Sequence, residues 1–214
     1  MKKTIFFTSL AFSSLLMANS QPSDMSISYN RSVNATGDVL AVDDPKVDAD
    51  FGLSVINVTS YLSNNFRASI TIGNSQDVEI ASDPIFKFTT DQMDFNLEMV
   101  HNGERVNTIT GEGSELRYGY QRWSNKDNKD GTKDNENNLI LAHSTGLGDG
   151  MTLHSNIAVD VSDGFKDRDI TLDFEKYLTS GVSATIGYRM MDHITEEDTE
   201  ITIRGLMIGL KYNF

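Results

Sequence analysis

The chain ends "ITIRGLMIGLKYNF". There Leu206, Ile208, Leu210, Tyr212 and Phe214 fall on one side of an extended backbone, and Gly205, Met207, Gly209, Lys211 and Asn213 on the other. A repeat of two is the period of a β-strand, whose successive side chains point to opposite faces. The same alternation sets Val182, Ala184, Ile186 and Tyr188 against Ser183, Thr185, Gly187 and Arg189, and Ile170, Leu172 and Phe174 against Thr171, Asp173 and Glu175. It also sets Leu153, Ile157, Val159 and Val161 against Thr152, His154, Asn156 and Asp160. Upstream strands are predicted near 24–31, 47–61, 66–75, 92–101 and 115–123. Pro22, Pro45 and Pro84 all lie outside these segments, as an unbroken ladder of N–H donors requires. The region 76–114 reads either as one long strand with a bulge or as more than one hairpin, with Met93, Phe95, Leu97 and Met99 as its clear alternating run.

A half-buried soluble sheet also alternates, so the second face decides the environment. Arg67, Asp94, Glu98, Arg117, Asp173, Glu175, Arg189 and Lys211 project from the polar side, and both signs of charge recur from strand to strand. In a transmembrane barrel these groups face the lumen and the apolar residues face lipid. Gly73, Gly119, Gly187, Gly205 and Gly209 on the same side suit a narrow interior. The connections alternate too: "LTSG" and "LGDG" are tight, whereas "SDGFKDRD", "DHITEEDTE" and "SNKDNKDGTKDNEN" are longer and charged. Short turns at one end and long loops at the other describe an antiparallel up-and-down β-barrel in an outer membrane. An even strand count is expected, and ten is favoured over eight or twelve. Ten strands leave about 19 residues each, enough for a tilted span of about 9–11 residues and its connection.

The opening "MKKTIFFTSLAFSSLLMANSQ" places Lys2 and Lys3 before an uncharged run from Thr4 to Met17, then Ala18 and Ser20 at cleavage-site spacing. Residues 1–20 are expected to be a signal peptide cut before Gln21, leaving 21–214 as a single barrel domain. The uncharged run is 14 residues, short of the about 20 a helical span needs. Net charge is −13, and losing residues 1–20 removes two lysines and no acid, which argues against nucleic acid as a partner. There is no cysteine, so neither disulfides nor thiolate chemistry is available.

The aromatic terminus "IGLKYNF" resembles the C-terminal strand of bacterial outer-membrane β-barrels, and the turn and loop layout extends the likeness to small OmpA-like, OmpX-like or porin-like barrels. The resemblance implies that Tyr212 and Phe214 form a signal read by the outer-membrane assembly machinery. It further implies an outer-membrane location and a structural, surface-interaction or narrow-channel role. A soluble exported β-sandwich and an outer-membrane lipid hydrolase are the alternatives.

The hydrolase reading comes from "AHST" and "LHSN". His143 and Ser144, like His154 and Ser155, are adjacent, and adjacent strand residues point to opposite faces, so neither dipeptide joins a base to its nucleophile. No enzyme activity, cofactor or metal site is expected on these grounds. "NKDNKDGTKDNEN" fails as a calcium loop, because aligning Gly131 with the turn position puts Lys126 and Asn137 where carboxylates are needed. Acidic groups at Asp43 and Asp44, at Asp163, Asp167 and Asp169, and at Glu196, Glu197 and Asp198 are expected in outer loops. There they either keep the loops soluble or share divalent cations with lipopolysaccharide phosphates.

Inside the barrel, pairing residue 178 with 182 predicts a three-residue turn, Thr179–Ser180–Gly181. It places Thr171 opposite Arg189 and Asp173 on a diagonal within salt-bridge reach of Arg189. "SYLSNNFRASITIG" repeats "KYLTSGVSATIGYR", so "SNN" is expected to match "TSG", with Asn65 in the left-handed position of Gly181. Tyr61 and Tyr177 are then inward stoppers near the periplasmic mouth. A lumen of this size is expected to be narrow or closed by its own side chains.

Overall fold

The computed structural model describes residues 25–40, 47–76, 78–79, 87–88, 90–127, 133–161, 167–194 and 200–214. The expected signal peptide and most of the acidic loop positions lie outside the described residues. The strands are β1 (Met25–Leu40), β2 (Val47–Ser63), β3 (Phe66–Gln76), β4 (Val78–Glu79), β5 (Lys87–Phe88) and β6 (Thr90–Asn107). They continue as β7 (Glu112–Asp127), β8 (Lys133–Gly148), β9 (Met151–Asp160), β10 (Arg168–Thr179), β11 (Val182–Ile194) and β12 (Glu200–Asn213). Ten of them close an antiparallel barrel in the order β1-β12-β11-β10-β9-β8-β7-β6-β3-β2, and β4 and β5 form a separate two-stranded ladder. The ambiguous region therefore resolves into that small ladder followed by one long strand. The long strand, β6, is bulged between Val100 and Asn102 and again between Glu104 and Asn107.

The barrel is polar inside and apolar outside. The largest fully buried side chains among the described residues are Glu175, Thr152, Asp160, Ser60, Ser144 and Ser183, while Leu210, Leu139 and Ile186 stand 58%, 55% and 52% exposed. Water would penalise that arrangement, since burying apolar surface is the main force that folds a soluble sheet. A bilayer would reward it, because hydrocarbon solvates the outer leucines and isoleucines and the closed ladder leaves no barrel strand with an unpaired edge. Ile140, Ala142 and Ala158 form a small buried apolar cluster, and Met25, Ala35, Val55, Ala68 and Met207 are buried elsewhere.

Strands run further than the alternation suggested. Most of the stretch expected as a long loop, "SNKDNKDGTKDNEN", is ladder, with Lys126 opposite Lys133; residues 128–132 lie outside the described residues. β1, β7 and β8 have 16 residues each, beyond the about 9–11 that cross a bilayer. Outside the hydrocarbon polar side chains are solvated on either face, so the ladder can continue where the apolar alternation ends.

The short turns are tighter than expected. Ser63 pairs with Phe66, Gly148 with Met151 and Thr179 with Val182, leaving two-residue turns at Asn64–Asn65, Asp149–Gly150 and Ser180–Gly181. Each is preceded by a register shift that leaves one leucine unpaired: Leu62, Leu147 and Leu178. The bulge absorbs the residue that sequence reading assigned to the turn. Asp149 (φ 52°) with Gly150 (φ 68°), and Ser180 (φ 48°) with Gly181 (φ 82°), take the positive φ values of a primed hairpin turn. Asn65 does not: Asp149 and Ser180 are the only non-glycine residues with positive φ among the described residues. Its N–H instead donates to Ser63 Oγ at 3.2 Å. The two tyrosine-leucine repeats share a register and a bulge but not a turn type.

The last strand seals the barrel against the first, pairing Asn213 with Ser26, and the Phe214 N–H donates to Met25 O at 2.9 Å. Tyr212 and Phe214 lie on the outer surface, edge to face with centroids 4.8 Å apart.

Candidate functional site

All eight charged residues assigned to the interior, Arg67, Asp94, Glu98, Arg117, Asp173, Glu175, Arg189 and Lys211, line one luminal cavity of about 300 Å³. Arg117 is the hub of its lower half. Its Nε donates to Glu98 Oε2 at 2.8 Å, its Nη1 donates to Glu115 Oε1, and the same Nη1 lies 3.0 Å from Ser144 Oγ. Arg67 approaches Glu98 at 3.8 Å. The Tyr61 hydroxyl donates to Glu115 Oε1, and the guanidinium of Arg105 lies over the Tyr61 ring, 3.7 Å from its centroid. Charge-assisted hydrogen bonds of this kind are the strong ones, and the low dielectric of a packed lumen sharpens them.

From Ser144 the network continues round the wall. Ser144 Oγ is 2.8 Å from His154 Nδ1, His154 Nε2 is 3.0 Å from Glu175 Oε2, and Lys211 Nζ donates to that same oxygen at 2.8 Å. Together these contacts draw on eight of the ten barrel strands: β2, β3, β6, β7, β8, β9, β10 and β12. The proton positions follow from what each group can do. A guanidinium can only donate, so Ser144 Oγ accepts from Arg117 and its own proton goes to Nδ1. A carboxylate can only accept, so Nε2 carries the imidazole proton and donates to Glu175. The result is a polarised Arg117–Ser144–His154–Glu175–Lys211 chain.

The register explains why these side chains meet. In the β8–β9 hairpin Ser144 is directly opposite His154, and His154 in turn opposes Asp173, which brings Glu175 onto its diagonal. Within the first dipeptide the two side chains do diverge as expected, since His143 turns outward, with its Nε2 3.0 Å from Ser114 Oγ. The contact that adjacency alone misses joins one dipeptide to the other. Ser144 and His154 flank the "GDG" turn almost symmetrically in sequence, and that symmetry was the available signal.

Other expectations need correction. Arg189 does face Thr171, but its salt bridge is bidentate to Asp169, with Nε to Oδ1 at 3.0 Å and Nη2 to Oδ2 at 2.7 Å, rather than to Asp173. Asp173 lies over Gly187 instead; a Cβ on that glycine would fall 1.8 Å from Asp173 Oδ1. Asp169, expected in an acidic outer loop, is thus a luminal residue of β10. Tyr61 lines the cavity and bonds to Glu115, whereas the Tyr177 hydroxyl accepts the Gly181 N–H of its own turn at 3.3 Å. Glu115 and Arg105, which the alternation did not single out, are members of the network. Gly209 leaves room for a contact between strands, because Thr185 Oγ1 donates across it to Asn30 Oδ1 at 2.8 Å, and a Cβ there would sit 2.0 Å from that oxygen.

Among the described residues no group of three or more histidine, aspartate or glutamate side chains is arranged to hold a metal, and no helix is long and apolar enough to cross a membrane. No family model and no curated protein matches the chain. Solved structures do. The outer membrane protease OmpT from Escherichia coli aligns with a TM-score of 0.55 at 10% identity, over 91% of this chain and 98% of that one. The translocator domain of the autotransporter NalP from Neisseria meningitidis aligns at 0.48 and 11% identity, over 100% and 96%. Neisserial surface protein A aligns at 0.45 and 11%, over 89% and 97%. The chain has the fold of an outer-membrane β-barrel.

Proposed function

We propose that the protein resides in an outer membrane as a barrel whose lumen its own paired charges close to free diffusion, so that it works through its surface rather than as a general pore. The observation that supports this is the continuous network from Arg105 to Lys211, with Arg117 and Glu98 only 4% and 5% exposed. Five luminal cations, Arg67, Arg105, Arg117, Arg189 and Lys211, face six acids, Asp94, Glu98, Glu115, Asp169, Asp173 and Glu175, around the cavity. Near-balance of charge in so small a volume favours a plug over a selective ion path, which needs an uncompensated ring of one sign.

Planar-bilayer recording tests the reading. The purified barrel should give no large steady conductance steps, and Glu98→Ala combined with Arg117→Ala should introduce them. Large steps from the unaltered protein would refute closure. Membrane residence is checked separately by the heat-dependent gel migration of unboiled protein from an outer-membrane fraction. On this reading, the acidic loops at Asp43, Asp44 and Glu196–Asp198 meet lipopolysaccharide phosphates through shared divalent cations, and Tyr212 and Phe214 are read by the assembly machinery.

A further inference from the structure

We infer that Ser144, His154 and Glu175 form a nucleophilic hydrolase centre inside the barrel, acting on a small acyl ester that reaches the luminal cavity from one mouth while the network still blocks passage through the barrel. The observation is the hydrogen-bond chain itself: nucleophile to base at 2.8 Å and base to carboxylate at 3.0 Å. That is the arrangement which turns a weak hydroxyl into an attacking group. Three further facts distinguish it from an ordinary luminal contact. Both Ser144 and His154 line the cavity; Ser144 is 1% exposed and the His154 side chain 27%, so a substrate meets the base first and the wall must yield for it to reach the reacting oxygen. Lys211 donates to the same Glu175 oxygen at 2.8 Å, so a second donor fixes the carboxylate that orients the imidazole. Arg117, whose Nη1 lies 3.0 Å from Ser144 Oγ, is a positive charge within reach of an oxyanion formed on that oxygen's partner carbon.

The chemistry balances with water as co-reactant. Ser144 Oγ bonds to the carbonyl carbon as its proton passes to His154 Nδ1, and the tetrahedral oxyanion forms beside Arg117. The carbon–alkoxy bond then breaks, and the alkoxide takes the proton from Nδ1 and leaves as an alcohol. Water attacks the acyl-serine with its proton going to Nδ1. Collapse of that intermediate returns the proton to Oγ and releases a carboxylic acid. Glu175 touches the base and Lys211 but not the reacting atoms, and is a positioning residue.

The substrate class follows from the enclosure. A cavity of about 300 Å³ is at the lower limit of small-molecule sites, and its wall mixes ion pairs and hydroxyls with Met25, Val55, Val106, Ala142 and Met207. A short, uncharged acyl ester fits; a phospholipid does not, because the centre faces away from the lipid. The outward Ser114–His143 pair provides an internal contrast, since it faces the membrane side of the wall rather than the cavity.

Diisopropyl fluorophosphate, which is small enough for the cavity, tests the inference on the folded barrel. Intact mass should show one adduct per chain, and peptide mapping should place it on Ser144. Ser144→Ala should abolish it, and His154→Ala should slow it by about 10²–10⁴-fold, the contribution of a positioned general base. Glu175→Gln should slow labelling and move the pH at which it is half-maximal, with heat-dependent gel migration unchanged. Because the chain has no cysteine, Ser144→Cys supplies a second measurement. Its thiol should react with iodoacetamide faster than that of Ser28→Cys, which lines the same cavity without a histidine partner. No adduct on the folded protein, an adduct on Ser114 instead, or equal reactivity of the two cysteines would each overturn the inference.

Discussion

Replacing Arg117 by methionine removes one cation and strands two carboxylates. Glu98 and Glu115 are 5% and 2% exposed at their side chains, and Arg117, at 4%, is the charge that both share. Breaking a buried ion pair from one side costs about 3–5 kcal/mol, most of it the penalty of leaving a charge without a partner. Two carboxylates push the figure up, while Arg67, still 3.8 Å from Glu98, pulls it down, so a loss of about 3–4 kcal/mol is expected. The informative comparison is the triple variant Glu98→Gln, Glu115→Gln, Arg117→Met. It removes the charges together, keeps amide partners for Tyr61 and Arg67, and should recover to within about 1–2 kcal/mol of the parent. Urea unfolding in detergent micelles, followed by heat-dependent gel migration and by the fluorescence of the single tryptophan, Trp123, measures both. If the single variant costs under about 1 kcal/mol, or the triple costs as much as the single, the network is not a set of mutually dependent charges and the closed lumen loses its support.

Other expected outcomes are narrower. Ser180→Asn converts a strained serine at φ 48° before Gly181 into the asparagine-glycine pair that primed turns prefer, and should stabilise the barrel by about 0.5–1 kcal/mol in the same urea assay. Gly209→Val places a Cβ 2.0 Å from Asn30 Oδ1 and 2.4 Å from the Tyr29 carbonyl at the β1–β12 seam. It should cost about 2–3 kcal/mol and show as reduced folded fraction on unboiled gels. Deleting Phe214 removes the N–H that closes on Met25 O and the ring that meets Tyr212, and folded protein in the outer membrane should fall while total synthesis is unchanged. Chelating calcium and magnesium should expose the outer loops to protease if they share cations with lipopolysaccharide, and unchanged digestion would remove that proposal.

Much of the architecture is local in origin, which is why it is legible residue by residue. A strand turns its side chains to opposite faces whatever it pairs with, so Lys211, Glu175 and Arg67 are assignable to the interior, and Leu210, Leu172 and Ile70 to the lipid face, before any partner is known. Pairing is not local in this sense. The register of β8 on β9 depends on the extruded Leu147, and one residue of slip there decides whether Ser144 meets His154 or a neighbour. Asp173 and Asp169 are equally placed diagonals of Arg189 on paper. The choice falls to Asp169 where Asp173 rests over Gly187, a preference set by three-dimensional crowding.

The sequence by itself determined the strand alternation, the inside-out polarity, the outward placement of Tyr212 and Phe214, and the eight charges that line the lumen, because each follows from one strand and its two faces. Only the tertiary structure decided which charges pair, that the turns tighten behind bulged leucines, and that Ser144, His154 and Glu175 stand in line. Those contacts join side chains from three strands, and the distances between them exist only once the barrel has closed.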